Sequence, residues 1–267
     1  MPTDRSTFDA DASRSSWDRA ADAWEQGQAS GRDYYRHEFF GPIQATTCGD
    51  VSGMRLLDVG CGSGYFAREM ARRGARVTGI DIAPRMIEHA TRHEASSPLG
   101  VEYRVGDAAE IGAAFPAASF DMATSCMALQ DMANIPGVLR AVHDVLKPRG
   151  RFVASITHPC TDTPFREWRR DEAGRKRALC IDRYFERVAM EYTWRGWSYD
   201  FTTPALHVPL EDWFDWIHGA GFQLRAFREP RPSEQALRER PDLEDAAKVP
   251  YYVIFDLVGQ TTPGART

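Results

Sequence analysis

The residues of this chain best suited to chemistry are acids and glycines packed into one short stretch. Residues 56–81 read LLDVGCGSGYFAREMARRGARVTGID. An apolar run ends in Asp58, three glycines follow at alternate positions (Gly60, Gly62, Gly64), and a second apolar run ends in Asp81. Between them Phe66, Ala67, Met70 and Ala71 mark one face of an amphipathic helix. Strand, glycine turn, helix and strand form the βαβ unit that places a nucleotide-like ligand at a helix N-terminus.

The charges narrow that ligand. A dinucleotide fingerprint is GxGxxG after an apolar strand end, whereas here the spacing is Gly60-x-Gly62-x-Gly64 and the strand ends in a carboxylate. Asp58 repels a pyrophosphate and suits a cation. Asp81 stands where one carboxylate accepts from two ribose hydroxyls. In Gly106-Asp107-Ala108, Asp107 is placed to accept from an adenine amino group. An adenosine with a cationic, phosphate-free tail is S-adenosylmethionine. Cys61 within the turn and Ile82 and Met86 beyond Asp81 join the expected cofactor-binding set.

Other elements must hold these groups. A helix is expected from Trp17 to about Ala29, capped by Ser15 or Ser16 after a frayed polar start, with Gly31 breaking it. A second segment from Asp33 to about Thr47 carries Tyr34, Tyr35, Phe39 and Phe40 and is kinked or restarted by Gly41-Pro42. After the βαβ unit come a helix from Pro84, a strand at 101–105, a helix or turn at 108–114, a strand at 120–126, a helix at 135–146 and a strand at 151–157. This alternation predicts an α/β, Rossmann-like, doubly wound sheet. Residues 158–205 break the rhythm with Trp168, Tyr192, Trp194, Trp197, Tyr199 and Phe201, too long a stretch for a simple loop. The rhythm resumes with a helix at 210–220, strands at 222–227 and 251–258, and a charged helical excursion between them, before a tail expected to be disordered. The division expected is an N-terminal helical arm or lid (1–50), a core (51–158 and 206–260) and a substrate cap (159–205).

Composition sets bounds. A net charge of −5 argues against nucleic acid. Five scattered cysteines without a CxxC pair suit a reducing compartment and no zinc site. No apolar run is long enough for a membrane span and the start lacks a signal peptide, so a cytoplasmic location is expected. The partner expected is a small-molecule acceptor, aromatic, apolar or bearing an anionic group, with a homodimer left open.

With LLDVGCGSG, VTGIDIAP, VGDAAEI, SFDMATSCMALQDM and LKPRGRF in this order, the chain resembles a class I S-adenosylmethionine-dependent methyltransferase over about residues 54–157. It is nearest in style to the type 11 small-molecule group that includes ubiquinone and menaquinone methyltransferases. The resemblance implies a seven-stranded sheet of order 3-2-1-4-5-7-6 with strand 7 antiparallel. It also implies that the end of strand four, Ser125, Cys126, Met127 and Gln130, runs beneath the methionine and sulfonium. S-adenosyl-L-homocysteine would be the product. The same resemblance favours O- or N-methylation, with C-methylation open.

Methyl transfer from a sulfonium is an in-line displacement that needs alignment, and a base where the nucleophile has a proton to lose. Candidate bases are His158, at the C-terminal edge of the fifth strand, and His207, each also readable as a backbone-bonded residue. Glu191 and Asp200, among the cap aromatics, are the others. The cap aromatics suit either a mini-core or a pocket wall. Arg166, Arg169, Arg170, Arg175, Lys176 and Arg177 suit an exposed face or an anionic group. Trp24, Tyr34, Tyr35 and Arg36 are candidates to close over the methionine carboxylate. Two rivals stand beside this expectation. An NAD(P)-dependent oxidoreductase is opposed by Asp58 and the missing GxGxxG; a non-catalytic S-adenosylmethionine-binding regulator is disfavoured by the intact motif set.

Overall fold

The structure, a computed structural model, describes residues 7–30 and 34–260. The expectations placed on Gly31, on Asp33 and on the tail from 261 lie outside the described residues, as does the polar start at 1–6.

Helix α1 spans Ala10–Ala29, starting well before Trp17. Its cap is Asp9, whose carboxylate accepts from the Ala12 amide at 2.7 Å, so Ser15 and Ser16 lie inside the helix. The early start has a tertiary cause: Ser13 is buried and its hydroxyl donates to the Asp131 carbonyl at 2.8 Å. A π-helical turn, Tyr35–Phe40, leads into α2, Gly41–Cys48. Gly41 is required there, because a Cβ would lie 2.1 Å from the Arg36 carbonyl oxygen. The restart at Gly41-Pro42 is therefore real, and the turn before it is under-wound, closed by the Gly41 amide donating to the Arg36 carbonyl.

The core follows in order: β1 (Arg55–Val59), α3 (Tyr65–Arg72), β2 (Arg76–Asp81), α4 (Pro84–Ser96) and β3 (Glu102–Val105). Then come α5 (Ile111–Ala114), β4 (Phe120–Cys126), α6 (Ile135–Val145) and β5 (Leu146–Thr157). Strand β5 begins at Leu146 and not at Arg151, since Leu146 already pairs with Phe120, and Arg149 takes up the irregularity at φ 63°. Residues 158–207 form two antiparallel hairpins, β6 (Arg166–Arg170) with β7 (Lys176–Ile181) and β8 (Val188–Trp194) with β9 (Phe201–His207). The chain closes with α7 (Leu210–Gly219), β10 (Phe222–Arg228), α8 (Glu234–Glu239), α9 (Glu244–Lys248) and β11 (Tyr252–Gly259).

Seven strands make one sheet of order β10-β11-β5-β4-β1-β2-β3. Strand β11 runs antiparallel to both of its neighbours, as expected of the last strand. Each face is sealed by an apolar layer. On one, α6 contributes Ile135, Val138, Leu139 and Val142 at helical spacing, joined by Trp213 of α7 at 1% exposure. On the other, Phe40, Leu56, Phe66 and Met70 pack together. Each such side chain contributes about 1.5–3 kcal/mol by leaving water.

Gln44 of α2 fastens the sheet's active edge. Fully buried, it donates to the Ser125 carbonyl at 3.0 Å and the Val153 carbonyl at 3.2 Å, and accepts from the Ser155 hydroxyl at 2.7 Å. It thereby ties β4 to β5.

The aromatic insertion packs against α1. Trp24 stacks on Trp197 with ring centres 5.3 Å apart and meets Trp194 edge-on at 5.4 Å. Gly27 makes room, since a Cβ there would lie 1.8 Å from the Trp197 ring. Helix α1 is also clasped to α4: Asp22 accepts from Arg85 at 2.9 Å and lies 2.7 Å from His89, while Glu25 lies 2.6 Å from His93.

Candidate active site

The C-terminal ends of β1, β2, β3 and β4 open onto one cavity, over which α1 and the π-helical turn form a roof. Its walls include Asp58, Gly60, Cys61, Gly62, Asp81, Ile82, Met86, Gly106, Asp107, Ala108, Cys126 and Met127, and from the roof Trp17, Trp24 and Arg36. The empty space counted out to the open mouth is about 1060 Å³.

Strand register explains the first acid. Asp58 stands opposite Thr124 on one side and Gly79 on the other. The Thr124 hydroxyl donates to one Asp58 oxygen at 2.7 Å, and the second oxygen is buried without a partner among the described residues. Burial pushes this carboxyl up to about 7, with the Thr124 hydrogen bond opposing the shift.

The glycines divide the labour of the turn. Gly60, Gly62 and Gly64 all have positive φ. A Cβ on Gly60 would strike Ala128, and one on Gly64 would lie 2.4 Å from the Tyr103 hydroxyl, whereas a Cβ on Gly62 would meet nothing within 4 Å. Gly64 thus serves helix packing and does not line the cavity, while Gly62 leaves open space in it.

Asp81 closes the turn. It accepts from the Gly62 amide at 2.8 Å and the Ala83 amide at 2.9 Å. Burial raises its carboxyl above the usual range, and these amides hold it back. Asp107 accepts from the Ala109 amide at 2.8 Å. Met127, just beyond β4, takes a left-handed conformation (φ 57°) unusual for a non-glycine residue. Its amide is held by the Ser155 carbonyl at 3.0 Å and hydroxyl at 3.1 Å. Arg36 projects from the π-helical turn with its guanidinium 5.2 Å from the centre of the Trp24 ring.

Of the residues expected at the cofactor, Gly64, Tyr34, Tyr35, Ser125 and Gln130 do not line this cavity and the others do. The Tyr34 ring instead lies under Arg240, at 4.4 Å. None of the four expected bases lines it. His158 is buried with both ring nitrogens engaged: Nδ1 accepts from the Cys160 amide at 3.1 Å and Nε2 lies 3.2 Å from Glu229. Burial lowers its pKa below the usual imidazole range, with Glu229 opposing the shift. His207 Nε2 meets the Tyr184 carbonyl at 3.1 Å. Glu191 is exposed on β8, and Asp200 accepts from Gly196 in the hairpin turn at 3.2 Å. The basic run lies on the exposed β6–β7 hairpin, where Arg175 and Arg177 are both bonded to Asp171.

One lining acid stands outside the expected set. Asp131, in a 3-10 turn (Leu129–Asp131) after β4, is 8% exposed on the cavity wall. Burial drives its carboxyl well above the usual range, and nearby Asp162 adds to the effect. The only sequence signal is an acid set between the apolar Leu129 and Met132.

Residues 57–154 match the family model of a methyltransferase domain. A ubiquinone biosynthesis O-methyltransferase of Xanthomonas euvesicatoria is 39% identical over 106 residues, 40% of this chain and 44% of that protein. The match thus spans less than half of this curated relative. Among solved structures, an S-adenosylmethionine-dependent methyltransferase from Mesorhizobium loti is 27% identical with a TM-score of 0.67, covering 81% of this chain and 96% of that one. A Listeria monocytogenes protein assigned to the same class is 26% identical with a TM-score of 0.71, covering 83% and 96%. The sheet order and strand-end cavity define the Rossmann-like methyltransferase architecture. The matched segment lies across that cavity, and in fold and in this segment the chain is similar to class I S-adenosylmethionine-dependent methyltransferases.

Proposed function

We propose that this protein transfers a methyl group from S-adenosylmethionine to a small-molecule acceptor, at oxygen or nitrogen. The observation that carries this is the buried Asp58 carboxylate, with one oxygen unpartnered among the described residues, beside the open space at Gly62. A cation in the cavity that Asp58 and Gly62 both line is attracted by this carboxylate, and a pyrophosphate would be repelled.

Asp81 would hold the ribose hydroxyls, Asp107 and Ala108 the adenine, and Asp58 with the glycine turn the ammonium end. When bound, the cofactor supplies a sulfonium methyl that needs no further activation. The chain's own part is to orient the two reactants and exclude water. Trp17 and Trp24 cover the cavity, and Arg36 adds a positive charge at the roof, suited to a carboxylate. In this assignment residues 1–50 act as a lid and 159–205 as a cap on the acceptor side. The aromatic hairpin β8–β9 suits an apolar or aromatic acceptor. Five free cysteines fit the cytoplasm, and no helix among the described residues is long and apolar enough to cross a membrane.

Calorimetry with S-adenosylmethionine, S-adenosylhomocysteine and NAD tests the assignment. Binding of the first two and not the third is expected; binding of NAD alone, or of none, would overturn it.

A further inference from the structure

Four acids line the cavity, and the cofactor assignment uses only three. Asp58, Asp81 and Asp107 sit at the ends of β1, β2 and β3, where they meet the tail, the ribose and the adenine. Asp131 remains, on the wall that continues from Met127. The acceptor side converges on it. The insertion brings Asp162, which is bonded to the Tyr192 hydroxyl and paired with Arg166 at 3.0 Å. Helix α1 brings Ser13, bonded to the Asp131 carbonyl.

Resting on the function proposed above, we propose that Asp131 is the proton acceptor of the reaction, serving a nucleophile that carries a proton, a hydroxyl or an amine. The acceptor's lone pair forms the bond to the methyl carbon as the carbon–sulfur bond breaks and its electron pair stays on sulfur. The proton leaves the acceptor atom for the Asp131 carboxylate.

The charges facing this carboxyl explain why it is ready only in the loaded site. Asp162 and Asp81 disfavour its ionisation and Arg36 favours it, with Gln130 beside it as hydrogen-bond partner. Among the described residues it forms no ion pair. A cation brought into the cavity tips the balance toward the carboxylate. The base is thus armed by the arrival of the methyl donor, and in the empty site its buried charge is suppressed.

The test uses binding to the full chain. Sinefungin carries a protonated amine where the transferable methyl sits, and S-adenosylhomocysteine carries none. Calorimetry should show sinefungin favoured by about tenfold or more, a preference that shrinks on acidification as Asp131 takes a proton. Asp131→Asn should abolish that preference while leaving S-adenosylhomocysteine affinity within about threefold; Asp131→Ser guards against a local effect of the amide. An unchanged preference in both variants overturns the proposal, as does equal loss of both ligands in a variant that still unfolds cooperatively. If neither ligand binds the natural chain, the cofactor assignment itself fails, and the proposal with it.

Discussion

The Thr124 hydroxyl donates to Asp58 at 2.7 Å, placing a strand β4 side chain in control of the acid that ends β1. Asp58 is raised by burial to about 7, against about 3.9 for an unfolded aspartate. Between those values the folded chain binds the extra proton, so this contribution to stability is full below about pH 4 and is lost as pH rises through about 7. Asp81 and Asp131 are raised too and act with the same sign. Asp58→Asn should therefore stabilise the ligand-free protein at pH 8 and flatten its melting temperature between pH 5 and 8, each kcal/mol shifting it by about 2–4 °C.

A cation favours the ionised form of Asp58, so cofactor binding should release a proton at pH 6. Affinity for S-adenosylmethionine should climb from pH 6 and level off above about 7.5. Calorimetry in two buffers of different ionisation enthalpy reads the proton directly, and Thr124→Val should move the rise to higher pH.

Asp81→Ala removes the acceptor of the Gly62 and Ala83 amides together with the proposed ribose contact. At about 1.5–3 kcal/mol for a charged hydrogen bond, affinity for S-adenosylhomocysteine should fall by about 10- to 150-fold. A change below threefold would remove Asp81 from the site.

Gly27 and Gly62 should fail in different ways when replaced by alanine, one in packing and the other in ligand affinity. Gly27→Ala gains about 1 kcal/mol of helix propensity but drives a methyl into the Trp197 ring. The expected result is a lower melting temperature and an α1 open to limited proteolysis. Gly62→Ala adds a methyl in open space at φ 53°, a strain of about 1–2 kcal/mol. There the main loss should be cofactor affinity, by tenfold or more.

Gln44→Ala should lower unfolding free energy by about 2–4 kcal/mol in urea, since two carbonyls and the Ser155 hydroxyl lose a buried partner. Substitution by leucine should do no better, because it fills the space without a donor.

Much of the sheet was legible because strands and amphipathic helices alternate along the chain, and β1, β2 and β3 each run into an acid or glycine, a local pattern that suffices to find them. This side of the cavity was legible too: Asp58, Asp81 and Asp107 stand at the ends of consecutive strands. The start of α1 was hidden because its first turns read as polar, and their buried partner, the Asp131 carbonyl, is 118 positions away. The cavity wall at Asp131 was hidden likewise. His158 sits at the right sheet edge but turns to Glu229, whereas Asp131 becomes buried only when α1 and the β8–β9 hairpin close around its turn. Side-chain direction at a strand end and burial by distant segments leave no mark in the local spacing.

Trp17, Trp24, Trp194 and Trp197 are four of the chain's seven tryptophans, held in mutual ring contact across the α1–insertion boundary. Indoles at centre separations of 5.3–5.9 Å couple electronically. The protein thus carries a label-free optical gauge of its own roof. Parting α1 from the hairpin would break these ring contacts, and the ultraviolet signal of the indoles should report it with no dye attached.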